Sequence, residues 1–187
     1  MLLLCAPAAT KPRTGLYEAA VFGKMETVKS ILEKHPEAVN EADEHGYTAL
    51  HGVAGEEQPA IAEYLIAHGA DVNGANEDGI TPLHIATWPD IARLFLRRGA
   101  ALEARSKTGA TPLLVLSAEA DSEDVMAVLL EAGADVNARQ GNGQTALDIA
   151  LSRAEDDKVV LLRRHGGKTA AELGRPTTRK KGERKGG

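Results

Sequence analysis

The 187-residue sequence predicts an all-α solenoid of about five helix-turn-helix units, and three observations carry that expectation. A Gly-x-Thr-(Pro/Ala)-Leu string recurs at 46–50, 79–83, 109–113 and 143–147, with its threonines 33, 30 and 34 residues apart. A second string, Gly-Ala after an apolar helical run, recurs in step with the first at Gly69-Ala70, Gly99-Ala100 and Gly133-Ala134, and Gly166-Gly167 stands where a fourth would fall. Composition is the third observation. Hydrophobic residues make up 43% of the chain but aromatics only 3%, so the core is expected to consist of small and branched side chains, which suit closely packed short helices.

A first unit, about 13–44, is atypical in the way of a terminal cap: Thr14-Gly15-Leu16-Tyr17-Glu18-Ala19-Ala20 opens its first helix and Met25 to Lys34 forms its second. In the unit at about 45–77, Thr48 is placed to cap a helix whose Ala49, Leu50, Val53 and Ala54 share one face. Its second helix carries Ile61, Ala62, Leu65 and Ile66 and stops at Gly69, a residue free to take the left-handed conformation. Ala70-Asp71-Val72-Asn73 and the residues up to Gly79 then double back as a turn. The units at about 78–107 and 108–141 start their first helices with Pro82 and Pro112, where a missing N–H costs nothing. Between its helices the third unit is about three residues short, at Thr87-Trp88-Pro89-Asp90, and the fourth is one residue long, around Glu119-Ala120-Asp121-Ser122. A last unit, about 142–173, contains Thr145-Ala146-Leu147-Asp148-Ile149-Ala150 and ends at Arg163-Arg164-His165-Gly166. Lys168 to Leu173 adds a short closing helix, with Thr169 and Glu172 at capping-box spacing. No single helix pair can bury its apolar face alone, so neighbours must stack.

Thr81-Pro82-Leu83-His84-Ile85-Ala86 and Gly133-Ala134-Asp135-Val136-Asn137-Ala138 resemble the helix start and the linker of ankyrin repeats. The resemblance implies short β-hairpin-like finger loops beside a concave surface of first helices, and a protein partner docked there. Carried over by position, the fingers present Glu44, His45 and Tyr47; Glu77, Asp78 and Ile80; Lys107, Thr108 and Ala110; and Asn142 and Gln144, while Glu56, Trp88 and Glu119 lie at the concave helix ends. This set leans acidic in the first half, so the expected partner offers a basic or amphipathic patch. Trp88 has two readings, a binding anchor or a plug for the gap left by the missing residues. His51 and His84 resemble the family's hydrogen-bonding histidine rather than metal ligands or catalysts. Asn73 and Asn137 resemble asparagines that some ankyrin proteins present to hydroxylases, against the plainer reading that they satisfy turn backbone.

Several functions find no support. No nucleophile can be paired with a base, no His or Cys spacing fits zinc, and the P-loop suggested by Gly166-Gly167-Lys168-Thr169 fails because Leu162 stands where its first glycine is needed. The chain is therefore read as a monomeric, non-enzymatic scaffold with no metal or cofactor and no membrane span. Segment 1–12 is expected to be flexible, and its lone Cys5 requires no oxidising compartment, so a cytoplasmic location is expected; the alternative is the remnant of a secretory signal. Residues 174–187 carry Arg175, Arg179, Lys180, Lys181, Arg184 and Lys185 against Glu183, a local +5 that leaves −10 on the rest of a chain whose net charge is −5. That tail is expected to be disordered. It supplies an alternative function, association with nucleic acid or an anionic surface, which the acidic body could not support.

Overall fold

A computed structural model of the chain describes residues 15–174. The segment 1–12, with Cys5, and the basic tail beyond Gly174 lie outside the described residues. The chain is all-α and divides into two compact units, one up to Ala101 and one from Leu102.

In the first unit α1 (Leu16–Val21) and α2 (Met25–Lys34) are followed by a 3-10 turn (Pro36–Asn40), then α3 (Ala49–Ala54), α4 (Pro59–Ala67), a second 3-10 turn (Pro82–Ile85) and α5 (Pro89–Arg97). Periodicity places an apolar stripe on each helix, and those stripes form the core: Leu16, Val28, Leu50, Val53, Ile61, Leu65, Leu83, Ile91 and Phe95 are all buried. The first helices approach closely because their contact residues are small. A β-carbon at Gly52 of α3 would lie 2.7 Å from a methyl carbon of Val21 and 3.0 Å from the Tyr17 ring, so glycine sets the α1–α3 spacing.

One expectation needs correction here. The first helix of the third repeat is not an α-helix but the four-residue 3-10 turn Pro82–Ile85, after which Ala86 is extended. With about three residues fewer, the chain cannot complete a second turn of helix. Instead the Thr87 N–H crosses to the Ala54 carbonyl at 3.0 Å, anchoring the shortened connection on the end of α3. Leu83 is nonetheless fully buried, so the apolar register survives the loss.

In the second unit α6 (Pro112–Leu116), α7 (Glu123–Glu131), α8 (Ala146–Ser152) and α9 (Asp156–Arg164) pair around Leu113, Leu116, Met126, Leu129, Leu147 and Leu162, and α10 (Ala170–Leu173) closes the unit. The inserted residue of the fourth repeat, Asp121, is accommodated in the left-handed region at φ 51°. Sequence reading missed Lys158, which takes the place that Ile61, Ile91 and Val125 hold in other repeats and is fully buried. Its ammonium donates to the Glu119 carbonyl and lies 3.9 Å from the carboxylates of Glu123 and Glu155. Burial of a charge is tolerated only with such compensation.

The capping threonines act as expected. Thr48 pairs with His51, Thr81 with His84, Thr145 with Asp148 and Thr169 with Glu172 in reciprocal capping boxes, while Thr111 accepts only the Leu114 N–H. Asp148 does more than cap: its carboxylate also accepts the Ala170 N–H at 2.8 Å, docking α10 onto α8. Burial pushes its pKa up, but bonds from the Thr145 and Ala170 N–H groups and the Thr145 hydroxyl, with Arg139 nearby, outweigh this and hold it below the usual value.

Candidate functional site: the finger turns and the helix faces beside them

In the first unit the finger after the 3-10 turn is built on Asp43. Its carboxylate accepts the N–H groups of His45 and Tyr47 at 2.9 and 2.8 Å, and its own N–H donates to the Tyr47 carbonyl. Ala42 and Thr48 form an antiparallel bridge across the base, the hairpin-like feature expected, though no strand develops among the described residues. Asn76 plays the same part in the next finger, accepting the N–H groups of Asp78 and Ile80 at 2.9 Å each. The two fingers are tied by the Glu77 N–H donating to the His45 carbonyl at 3.0 Å, an approach that requires glycine at 46, since a β-carbon there would lie 2.9 Å from the Asn76 Cα.

With the backbone so committed, the side chains of Glu44, His45, Glu77 and Asp78 point to solvent. Tyr47 and Ile80 are half-buried. The Tyr47 ring meets His51 edge-on at 5.5 Å, and the Ile80 carbonyl accepts the Nε2–H of His51 at 3.0 Å. Nδ1 of that histidine accepts the Thr48 N–H, which fixes the neutral tautomer and makes His51 a strut between fingers. Burial pushes its pKa down, opposed by the bond to Ile80 and by Asp43.

Glu56 is exposed on the turn after α3. Trp88 does not end a first helix, as expected, but precedes α5 as its N-terminal flanking residue. It is 39% exposed, with the larger part of its surface covered.

In the second unit the fingers start at Ser106 and Gln140. The Gly141 N–H donates to the Thr108 carbonyl at 2.7 Å, and Arg105 bridges the carbonyls of Gly109 and Arg139 at 2.7 Å each. Lys107, Thr108 and Asn142 are exposed. Ala110 is a correction: it is buried, its N–H accepted by the Ser106 hydroxyl at 3.1 Å, so it offers a partner little surface. Asn142 and Gln144 are turned toward each other, amide to amide at 2.6 Å. A groove of about 370 Å3 joins Thr108, Gln144 and Glu119 to Gln140, Ser152 and Arg153 over a floor that includes Leu114 and Ile149. The last three polar residues were not singled out from sequence, although Arg153 follows α8 as Glu56 follows α3, and that shared register was the available signal.

The asparagines expected to hold turn backbone do so. Asn73 bridges Gly99 and Ala101, Asn137 bridges Gly166 and Lys168, and Asn40, which the sequence reading passed over, bridges Gly69 and Asp71. Among the described residues no group of three or more His, Cys, Asp or Glu side chains is placed to hold a metal ion, and no helix is long and apolar enough to cross a membrane.

Short helix pairs alternating with hydrogen-bonded projecting turns define a helical repeat protein that exposes its fingers and the helix faces beside them. Residues 16–106 match a family model described as ankyrin repeats (3 copies), and residues 113–156 match one described as ankyrin repeats (many copies). The chain belongs to the ankyrin repeat family. Ankyrin repeats generally mediate protein–protein interaction. Relatives include protein phosphatase 1 regulatory subunit 27 of Mus musculus, 39% identical over 82 residues that make up 43% of this chain and 53% of that protein. Alpha-latrocrustotoxin-Lt1a of Latrodectus tredecimguttatus is 35% identical over 71 residues, 38% of this chain and 5% of the toxin. BCL-6 corepressor-like protein 1 of Homo sapiens is 35% identical over 109 residues, 57% of this chain and 6% of the corepressor. The matches thus span about half or less of each relative's length.

Proposed function

We propose that this chain is a non-enzymatic scaffold that captures a protein partner through its finger turns and adjoining helix faces. The observation that supports it is the division of labour in the fingers. Most backbone N–H groups of 43–47 and 76–80 are taken up by internal bonds, while Glu44, His45, Glu77 and Asp78 are exposed and stand on backbone fixed by those bonds. Side chains carried on a preorganised turn bind without the entropy cost of ordering a loop. The acidic set in the first unit favours a partner with a basic or amphipathic patch. The relatives named above are a phosphatase regulatory subunit, a toxin and a corepressor-like protein, as expected of one scaffold turned to unrelated targets. A monomer in the cytoplasm is the state this reading assumes. Association with nucleic acid through residues 174–187 is the competing reading, and it requires salt-sensitive retention that disappears when those residues are deleted.

The test is quantitative capture from host lysate, with nuclease added, using wild-type protein and the Tyr47→Ala/Ile80→Ala variant. Weakened capture of the same protein by a variant that still folds supports the finger surface. Equal capture by both removes it.

A further inference from the structure

We infer that the groove of the second unit, between α6 and α8, receives an extended segment of the partner that carries one Asp or Glu among aliphatic residues, with that carboxylate at Arg153. This rests on the scaffold reading and specifies which peptide chemistry the second unit selects.

The groove has a local cause in the sequence. Four residues after its capping threonine, α3 carries Gly52, and glycine there lets α1 and α3 close on each other. At the same place α6 carries Val115 and α8 carries Ile149, and these two helices touch less extensively than α1 and α3 do. Between them lie about 370 Å3 over a floor that includes Leu114 and Ile149, a volume in the range of ligand-sized clefts. Leu114 makes that floor apolar where the two preceding repeats place His51 and His84. The wall presents a donor of fixed orientation. The Gln144 N–H donates to Asn142 Oδ1 at 3.0 Å, which turns Asn142 Nδ2 onto Gln144 Oε1 at 2.6 Å, and Gln140 Nε2 donates to the same oxygen at 3.0 Å. Both lone pairs of that oxygen are used, so Gln144 keeps its NH2 as a donor for a peptide carbonyl. Among the described residues the Arg153 guanidinium meets no carboxylate or carbonyl, although it lines the same groove. The turn at Glu119 is braced, its carbonyl accepting from the buried Lys158 ammonium and from the Ser122 hydroxyl at 3.1 Å. Glu119 and Arg153 are the charged residues of the lining. A run of acids would therefore meet repulsion from Glu119, and a single carboxylate paired with Arg153 is the charge this groove complements.

The test is amide NMR of the isotope-labelled full-length protein, titrated with the blocked peptide acetyl-Gly-Ala-Leu-Glu-Ala-Gly-amide and with counterparts that carry Gln or Lys in place of Glu. The expected result is a saturable shift of the Thr108 and Ser152 amides and of the Gln144 side-chain NH2 with the Glu peptide. The Gln peptide should bind about two- to fivefold more weakly, the range of an exposed ion pair. Arg153→Glu should reverse the preference, losing the Glu peptide and binding the Lys peptide more tightly than wild type does. Gln144→Glu retains the acceptor for Gln140 and Asn142 and replaces only the NH2, so it should weaken the Glu peptide by about two- to fivefold with an unchanged urea midpoint. Shifts that miss the groove, equal response to the Glu and Gln peptides, or an Arg153→Glu variant with wild-type preference overturns the assignment. Groove resonances that move on dilution, or on deletion of residues 175–187, would give the groove to a second copy or to the chain's own tail and overturn it equally. The scaffold reading stands or falls separately, on the Tyr47→Ala/Ile80→Ala capture, whose two residues lie in the first unit.

Discussion

Asn73 reaches from the turn after α4 to the turn after α5, donating its side-chain amide to the Gly99 carbonyl at 3.0 Å and accepting the Ala101 N–H at 2.7 Å. One side chain thus satisfies both a donor and an acceptor of the next repeat, and Asn40 and Asn137 do the same at their own joints. Glu103 holds the corresponding position in the third repeat. It accepts the Asp135 N–H at 2.8 Å, but a carboxylate has no donor to offer the Gly133 carbonyl. Asn73→Ala should therefore lower stability by about 1–2 kcal/mol, and Glu103→Asn should raise it by about 0.5–1 kcal/mol. Urea unfolding of both variants checks the pair; a gain from Asn73→Ala would show the bridge to be incidental.

Leu83 carries the register of the third repeat despite its reduced helix, and it is fully buried. Leu83→Ala should cost about 2–5 kcal/mol in chemical denaturation, the range for a cavity of this kind. A change below about 1 kcal/mol would mean that the site collapses around the deletion more completely than close packing permits.

His51 ties stability to pH. Burial lowers its pKa beneath the ordinary 6.5, so the unfolded chain takes up the proton more readily than the folded one. Its contribution is complete above pH 6.5 and declines as the pH falls through that value toward the lower folded-state pKa. Protonation would also remove the Nδ1 lone pair that accepts the Thr48 N–H. Unfolding midpoints measured between pH 7.5 and 5 should fall for wild type, with a flatter profile for His51→Leu, the residue type that Leu114 supplies at this place in the fourth repeat.

The closing helix has its own acid limit. Arg163 holds Glu172 with two bonds of 2.8 and 2.9 Å, and with the Thr169 N–H it brings the carboxyl down to about 2. Stabilisation from this carboxylate is present above its ordinary value of 4.5 and is lost as the pH falls toward 2. NMR shifts of Ala170–Leu173 should move from helical toward coil values across that window, and Glu172→Gln should show the change already at neutral pH.

Ala154 sits at φ 57°, a conformation in which its β-carbon is strained. Ala154→Gly should gain about 0.5–1 kcal/mol, the relief of that strain less the added freedom of glycine in the unfolded chain. A loss in thermal unfolding would place the strain elsewhere.

Repeat number, the capping threonines, the second helices and the buried leucines were legible in the sequence because each repeats at one period and each has a local cause. What the period could not reveal were its exceptions. Lys158 reads as a surface residue until its carbonyl partner on Glu119, 39 positions away, is known. Trp88 could be read as anchor or plug because its exposure depends on how the chain closes a three-residue deficit, here with the Thr87 N–H bonded to the Ala54 carbonyl. Ala110 looked like a finger tip by position, yet Ser106 draws it into the base of the turn. Arg153 in the second unit's groove carried no motif and is marked only by where α8 ends.

The scaffold reading is tested most directly by charge reversal at the fingers. Glu44→Lys/Glu77→Lys/Asp78→Lys alters three exposed side chains outside the core, so its unfolding curve should overlay that of wild type to within about 0.5 kcal/mol per site. Capture of the wild-type protein's principal partner from nuclease-treated lysate should drop by about tenfold or more in the variant. Undiminished capture of that same partner by the folded variant would contradict a function seated on these fingers.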